Sequence, residues 1–234
     1  MADDVSQDEK ESLSVSWNDV IRFIRQLSHD LRNNLNAMEL QSAYIAELAT
    51  SDDLKADIKS LREMVAGLAL SLQKLSKSVG EVSPNPIAYR ALDLVEDLRS
   101  KIERDLAQES REISWEIQLG DEMLNVDPQL LEEAFIEVFS NAFQHGRGKG
   151  PVVATARSDA NRLVFSIREP KAQFALSTEN WGREPLRKTS HRHYGLGLHR
   201  ARAIMTAHGG ELHAEYDRNV SALITTLILP FSSS

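Results

Sequence analysis

His29 is followed directly by Asp30 and, one helical turn later, by Asn33. That spacing puts a nucleophilic imidazole, a carboxylate able to orient or deprotonate it, and an amide at one site. Glu137 and Asn141 form a second group. Four residues apart, they share one face of a predicted helix, where a carboxylate and an amide oxygen suit a Mg2+ ion held against phosphate oxygens. A third group is Tyr194-Gly195-Leu196-Gly197-Leu198, with glycines just ahead of a predicted helix. Such glycines let phosphate oxygens approach backbone amides and the positive helix end. Each group alone has an ordinary reading. A single helical histidine is most often a surface residue, two polar residues on an amphipathic helix are most often its wet side, and Gly-X-Gly is common. Gly146-Arg147-Gly148-Lys149-Gly150 lacks the Ser or Thr and the spacing of a P-loop, and is expected to end the preceding helix.

The elements that must position these residues follow from periodicity. From Trp17 to Ala49 the core positions step by four and three: Trp17, Ile21, Ile24, Ser28, Leu31, Leu35, Met38, Ser42, Ile45, Ala49. After a break at Thr50-Ser51-Asp52-Asp53, where Ser51 or Asp52 can cap a helix, the rhythm restarts at Leu54, Ile58, Leu61, Val65, Leu68, Leu72, Leu75 and Val79. His29 falls one residue past the seam, on the polar side with Arg22, Arg25 and Arg32. Two amphipathic helices cannot enclose their own stripes, so the pattern predicts a homodimeric four-helix bundle, the alternative being a monomeric helical domain packed on the rest of the chain.

Gly80 to Pro86 cannot continue a helix and reads as a linker. Beyond it the pattern predicts a helix from about Tyr89 to Gln108, a strand at Ile113–Leu119, and a helix from Pro128 to His145 with Asp127 as N-cap. Strands follow at Val152–Arg157, Leu163–Arg168, Glu211–Tyr216 and Ala222–Leu229, with a helix from Leu196 to about His208 ended by Gly209-Gly210. The expected organisation is α+β in two domains: a disordered tail at 1–14, the hairpin at 15–80, a linker at 81–87, and an α/β sandwich at 88–231.

The 234 residues, 41% hydrophobic and 26% charged, suffice for one large or two small domains. A formal charge of -8 argues against nucleic-acid binding and for protein partners. The absence of cysteine excludes disulfides, thiolate metal sites and cysteine nucleophiles. Met1 to Ser12 is acidic and polar, unlike a secretory signal. No apolar run approaches the ~20 residues that a spanning helix needs; Ala222 to Leu229 holds two threonines and ends at Pro230. A cytoplasmic protein without a membrane span is expected.

In sequence, Ser28-His29-Asp30-Leu31-Arg32-Asn33-Asn34-Leu35 resembles the H-box of sensor histidine kinases. Asp127-Pro128-Gln129-Leu130-Leu131 leading into Glu137-Val138-Phe139-Ser140-Asn141-Ala142 is similar to the N-box of GHKL ATP-binding domains, and Tyr194 to Leu198 to their second glycine box. The resemblance spans residues 17 to 230 in the family's motif order. It implies that His29 attacks the γ-phosphate of ATP, that Asp30 assists as base, and that Asn33 positions water in dephosphorylation. It implies that Glu137 and Asn141 hold Mg2+, that Glu169, Gly195, Leu196, Gly197 and Leu198 contact ATP, and that a response-regulator receiver domain takes the phosphoryl group on an aspartate. The stimulus would come through a separate sensor protein, through the short N-terminal segment, or not at all.

Asn34 stands where relatives commonly have proline, so a proline bend is not expected. The segment from Trp181 through Glu184-Pro185-Leu186 resembles the one ahead of the ATP lid; Arg187, Lys188, His191, Arg192 and His193 would then be a basic lid, or else a solvated loop. The larger departure is the first glycine box. Ile167-Arg168-Glu169-Pro170-Lys171-Ala172-Gln173-Phe174 has Glu169 for the family's adenine-binding aspartate, and neither glycine. Its extra methylene moves the acceptor by about 1.5 Å, and Pro170 stiffens the turn, so ATP affinity is expected to be low, altered or nil. Two rival readings remain: a histidine phosphotransferase with a kinase-like domain that does not bind ATP, and a non-enzymatic pseudokinase that binds a partner.

Overall fold

A computed structural model describes residues 16–144, 147–174, 177–179, 181–183 and 196–232. The predicted tail at 1–14, His145 and Gly146, the lid segment 184–193, Tyr194 and the candidate Gly195 lie outside them. The chain divides into two compact units, Met1–Gly80 and Glu81–Ser234.

The first unit is a hairpin of α1 (Trp17–Leu48) and α2 (Asp52–Ser78). A serine starts each helix. Ser16 Oγ accepts from the amide of Asp19 at 3.2 Å and Ser51 Oγ from that of Leu54 at 3.1 Å, satisfying donors that have no intrahelical partner. Ser51→Ala is therefore expected to lower hairpin stability by about 1 kcal/mol, read as an earlier unfolding midpoint in urea followed by helical circular dichroism. α1 runs unbroken past Asn34.

Within one chain only every seventh residue of the seam is buried. These are Ser28, Ser42 and Ala49 from α1 with Ile58, Val65 and Val79 from α2 and its cap, with Leu35 and Leu72 half-buried between them. Most of the alternate positions stay exposed, among them Leu31 (41%), Met38 (57%), Leu61 (48%) and Leu68 (60%), while Ile24 and Leu75 near the open end are half-buried. Two helices in contact bury one line of side chains, so half of the predicted stripe is used to close the hairpin and half faces outward. Polar contacts also join the helices. Arg62 Nη2 meets Glu39 Oε1 at 3.1 Å, and Arg25 donates through Nε and Nη2 to the Val79 carbonyl at 3.3 and 3.0 Å.

The second unit has the order β1 (Ile87–Arg90), α3 (Ala91–Asp105), β2 (Ile113–Gln118), β3 (Met123–Val126), α4 (Pro128–Gln144), β4 (Val152–Asp159), β5 (Arg162–Pro170), α5 (Gly197–Ala207), β6 (Glu211–Asp217) and β7 (Ala222–Pro230). β2-β4-β5-β7-β6 form a five-stranded sheet, in which β2 and β4 are parallel and the other pairs antiparallel; β1 and β3 form a separate antiparallel pair. Two sequence expectations change here. The helix predicted from Tyr89 to Gln108 opens as a strand, because Tyr89 pairs with Leu124 and Ile87 with Val126. It then runs only over Ala91–Asp105, before a short 3-10 turn at Glu109–Glu112. β3 was not predicted; four residues pairing with a distant partner give too short a periodic signal to recognise.

The inward strand faces and α3, α4 and α5 enclose one apolar core. Phe165 on β5 lies at its centre, edge-on to Phe135 at 4.8 Å and Phe139 at 6.1 Å between ring centroids, with Trp115 at 6.3 Å. Edge-to-face packing suits the positive rim and negative face of such rings. On β5 the inward set is Leu163, Phe165, Ile167 and Glu169. Glu169 is thus carried inside by strand alternation.

Candidate functional sites

In the hairpin, His29 and Asp30 both project from α1 into solvent. His29 Nδ1 lies 3.3 Å from Asp30 Oδ1. A carboxylate only accepts, so this contact puts the imidazole proton on Nδ1 and leaves the Nε2 lone pair outward. Gln26, one turn back, donates to both Asp30 oxygens at 3.0 and 3.3 Å. The bond from His29, then those from Gln26, hold the Asp30 carboxyl below its ordinary value, so it stays ionised. Asn33 is exposed one turn beyond. Gln26 was not among the candidates from sequence, although its i,i+4 spacing from Asp30 is the signal that identifies it. Arg25 is exposed, as expected of the polar side, and its guanidinium also reaches the Val79 carbonyl at the end of α2.

In the second unit, α4 carries Glu137, exposed, and Asn141, half-buried, on successive turns of one face. Its start is capped by Asp127, whose Oδ1 accepts from the amides of Gln129 and Leu130, both at 3.1 Å. The Asp127 amide in turn donates to His208 Nε2 at 3.0 Å, while His208 Nδ1 donates to the Ile204 carbonyl at 2.7 Å. The end of α5 and the start of α4 are thereby joined. Arg200 of α5 and Glu133 of α4 add a buried ion pair at 3.3 Å.

This packing brings Gly197, the first residue of α5, against Glu137. A Cβ at Gly197 would collide with the Glu137 carboxylate, whose Cδ would lie 3.1 Å away. Two motifs 60 positions apart in sequence thus meet, and any side chain at Gly197 would push the Glu137 carboxylate aside. Leu196 precedes α5 as a buried residue, and Leu198 packs against the core. The Gly148 amide donates to the Pro170 carbonyl at 2.6 Å, and a Cβ on Gly148 would sit 3.1 Å from that oxygen. The glycine-rich stretch here serves a close backbone approach to the end of β5.

Glu169 is 2% exposed, and its Oε1 accepts from Lys171 Nζ at 2.5 Å. Burial pushes the Glu169 carboxyl above its ordinary value, and the Lys171 ammonium opposes that rise. Its Oε2 has no hydrogen-bond partner among the described residues. Lys171 was not a candidate from sequence. Two residues after Glu169, on the same side of an extended chain, is the signal that identifies it.

No family model matches the chain. Among curated proteins it is 27% identical over 205 residues to a bacteriophytochrome of Pseudomonas aeruginosa, covering 83% of this chain and 28% of that one. It is 21% identical over 203 residues to the sensor histidine kinase CssS of Bacillus subtilis, covering 84% and 44%. The chain therefore spans less than half the length of these relatives. Among solved structures, full-length ShkA in complex with AMPPNP superposes with a TM-score of 0.66 at 17% identity, covering 91% of this chain and 46% of that one. The histidine kinase AdeS of Acinetobacter baumannii superposes at 0.52 and 18%, covering 88% and 98%. No helix among the described residues is long and apolar enough to cross a membrane. With its His-Asp pair on a helical hairpin, followed by a mixed sheet and three helices, the chain shares the fold of the histidine kinase AdeS and is similar in sequence to the sensor histidine kinase CssS.

Proposed function

We propose that the chain is a two-component phosphorelay protein of the histidine-kinase type, in which His29 Nε2 takes the γ-phosphoryl group of ATP and passes it to an aspartate of a response-regulator receiver domain. The observation that carries this reading is the His29–Asp30 contact, which makes Nε2 an exposed nucleophile of fixed tautomer. As Nε2 bonds to the γ-phosphorus, the bond from phosphorus to the β,γ-bridging oxygen breaks, ADP leaves, and Asp30 stabilises the positive charge that gathers on the imidazole. Asn33, exposed one turn on, would orient water when the phosphoryl group is removed from the regulator.

In the second unit, Glu137 and Asn141 would hold Mg2+. Their donors are hard oxygens on one helix face, which suits that ion when phosphate oxygens complete its shell. Bound there, the ion would neutralise phosphate charge. Gly197 leaves room for the Glu137 carboxylate, Gly195, Leu196 and Leu198 would contact ATP, and Glu169 would be the acceptor for the adenine amino group. Gly197→Ala is expected to leave the fold intact, because the atom displaced ends a flexible side chain, and to weaken Mg2+-ATP binding about tenfold. Unchanged affinity by calorimetry would remove the Gly197–Glu137 contact from the site.

The exposed alternate heptad positions support a homodimer through the hairpin, since a second copy would cover them. A receiver domain and, for input, a separate sensor protein are the partners that follow from the reading, with cytoplasmic location. The engagement of Glu169 by Lys171 favours a second reading, a phosphotransferase that does not bind ATP and receives its phosphoryl group from a receiver domain. One experiment separates them. Purified protein is offered γ-labelled ATP with Mg2+, or a phosphorylated receiver domain, and acid-labile, alkali-stable label is scored. Label from ATP supports the kinase, label from the receiver alone supports the phosphotransferase, and label from neither refutes both.

A further inference from the structure

The place where a nucleotide base would meet Glu169 contains a cation supplied by the chain itself. Glu169 and Lys171 are 2% and 7% exposed, and their charges meet at 2.5 Å. Lys171 is fixed at its backbone from both sides. Its amide donates to the Ser221 carbonyl at 2.7 Å, and the Tyr216 hydroxyl donates to its carbonyl at 3.0 Å and to that of Ala172 at 3.1 Å. The ammonium also lies 5.5 Å from the centre of the Phe174 ring, whose neighbours are Trp181 at 5.7 Å and Tyr216 at 6.0 Å. A lysine so constrained does not leave its partner at the cost of a side-chain rotation; the ion pair is part of the built structure.

We propose that Lys171 sets how tightly this chain holds a nucleotide, acting as a built-in competitor for the amino group of a purine at Glu169. The inference rests on the reading of Glu169 as the base acceptor. An arriving amino group finds one carboxylate oxygen already bonded to an ammonium, which is a stronger donor than a neutral amine. Only Oε2 is left to it, and that atom is buried without a hydrogen-bond partner among the described residues. Removing the ammonium frees the second oxygen.

The test measures ATP affinity of the full chain by titration calorimetry for the wild type, Lys171→Met and the double variant Lys171→Met/Glu169→Gln, each checked for folding by circular dichroism. Methionine retains contact with Phe174. The double variant leaves no buried charge unpaired and keeps an amide oxygen as acceptor, so it covers the case in which the single variant does not fold. Lys171→Met, or the double variant in its stead, is expected to bind ATP about tenfold or more tightly than the wild type, the worth of one recovered hydrogen bond to a strong acceptor. Affinity equal to or weaker than wild type, or no measurable binding by any of the three proteins, overturns the proposal. Because the readout is binding, it is separate from phosphotransfer. Loss of label at His29 with tighter binding by Lys171→Met would sink the phosphorelay reading alone, and the converse would sink only the role of Lys171.

Discussion

Replacing His29 by glutamine is expected to abolish acid-labile phosphoryl label on the protein, whether the donor is ATP or a phosphorylated receiver domain. Glutamine keeps polarity and helix propensity but has no nucleophilic nitrogen, and α1 does not depend on His29, whose ring lies in solvent. Circular dichroism should be unchanged. Asp30→Asn is the informative companion. It removes the acceptor that fixes the tautomer, since an amide can face Nδ1 with either its oxygen or its NH2, and labelling should slow by about a hundredfold without vanishing. Label that survives His29→Gln would place the phosphoacceptor elsewhere. Equal rates for Asp30→Asn would reduce Asp30 to a charge on the helix surface.

The second large effect is expected from Leu61→Lys combined with Leu68→Lys. Both leucines lie on α2 and stay about half exposed within one chain. In a symmetric dimer four leucine side chains would be covered, and because each is already about half buried, at about 1.5–3 kcal/mol for a full burial the pair of substitutions removes roughly 3–6 kcal/mol. That is a weakening of the association by about 10²- to 10⁴-fold. Light scattering should change from the mass of a dimer to that of a monomer, with loss of hairpin helicity, because one contact line alone does not support helices of this length. A double variant that keeps dimer mass and its melting temperature would show that this face is not the interface.

Much of the architecture is legible from local pattern. The heptad rhythm places α1 and α2 to within a residue or so, and alternation places the strands of the main sheet, because burial of one face imposes its period on the residues that form it. β1 and β3 escape that logic. Tyr89 and Arg90 precede a strong amphipathic helix and read as its first turn, and only the pairing of Tyr89 with Leu124 and Arg90 with Met123 makes them a strand. The seam shows the same limit. Leu31 and Ser28 have equal standing in the pattern, yet only contact geometry decides that Ser28 faces α2 and Leu31 faces outward.

The sites divide in the same way. Sequence by itself determines that His29, Asp30, Asn33 and Gln26 share one helix surface, and that Glu137 and Asn141 share another, because helical spacing is local. Tertiary structure alone decides that Gly197 bears on Glu137, that His208 joins α5 to the cap of α4, and that Lys171 turns its ammonium onto Glu169. Those contacts depend on how helices and strands distant in the chain pack, and Lys171 also depends on Tyr216 and Ser221 to hold its backbone. A one-dimensional pattern records which face a residue is on; which neighbour it meets there is set by the packing of the folded core.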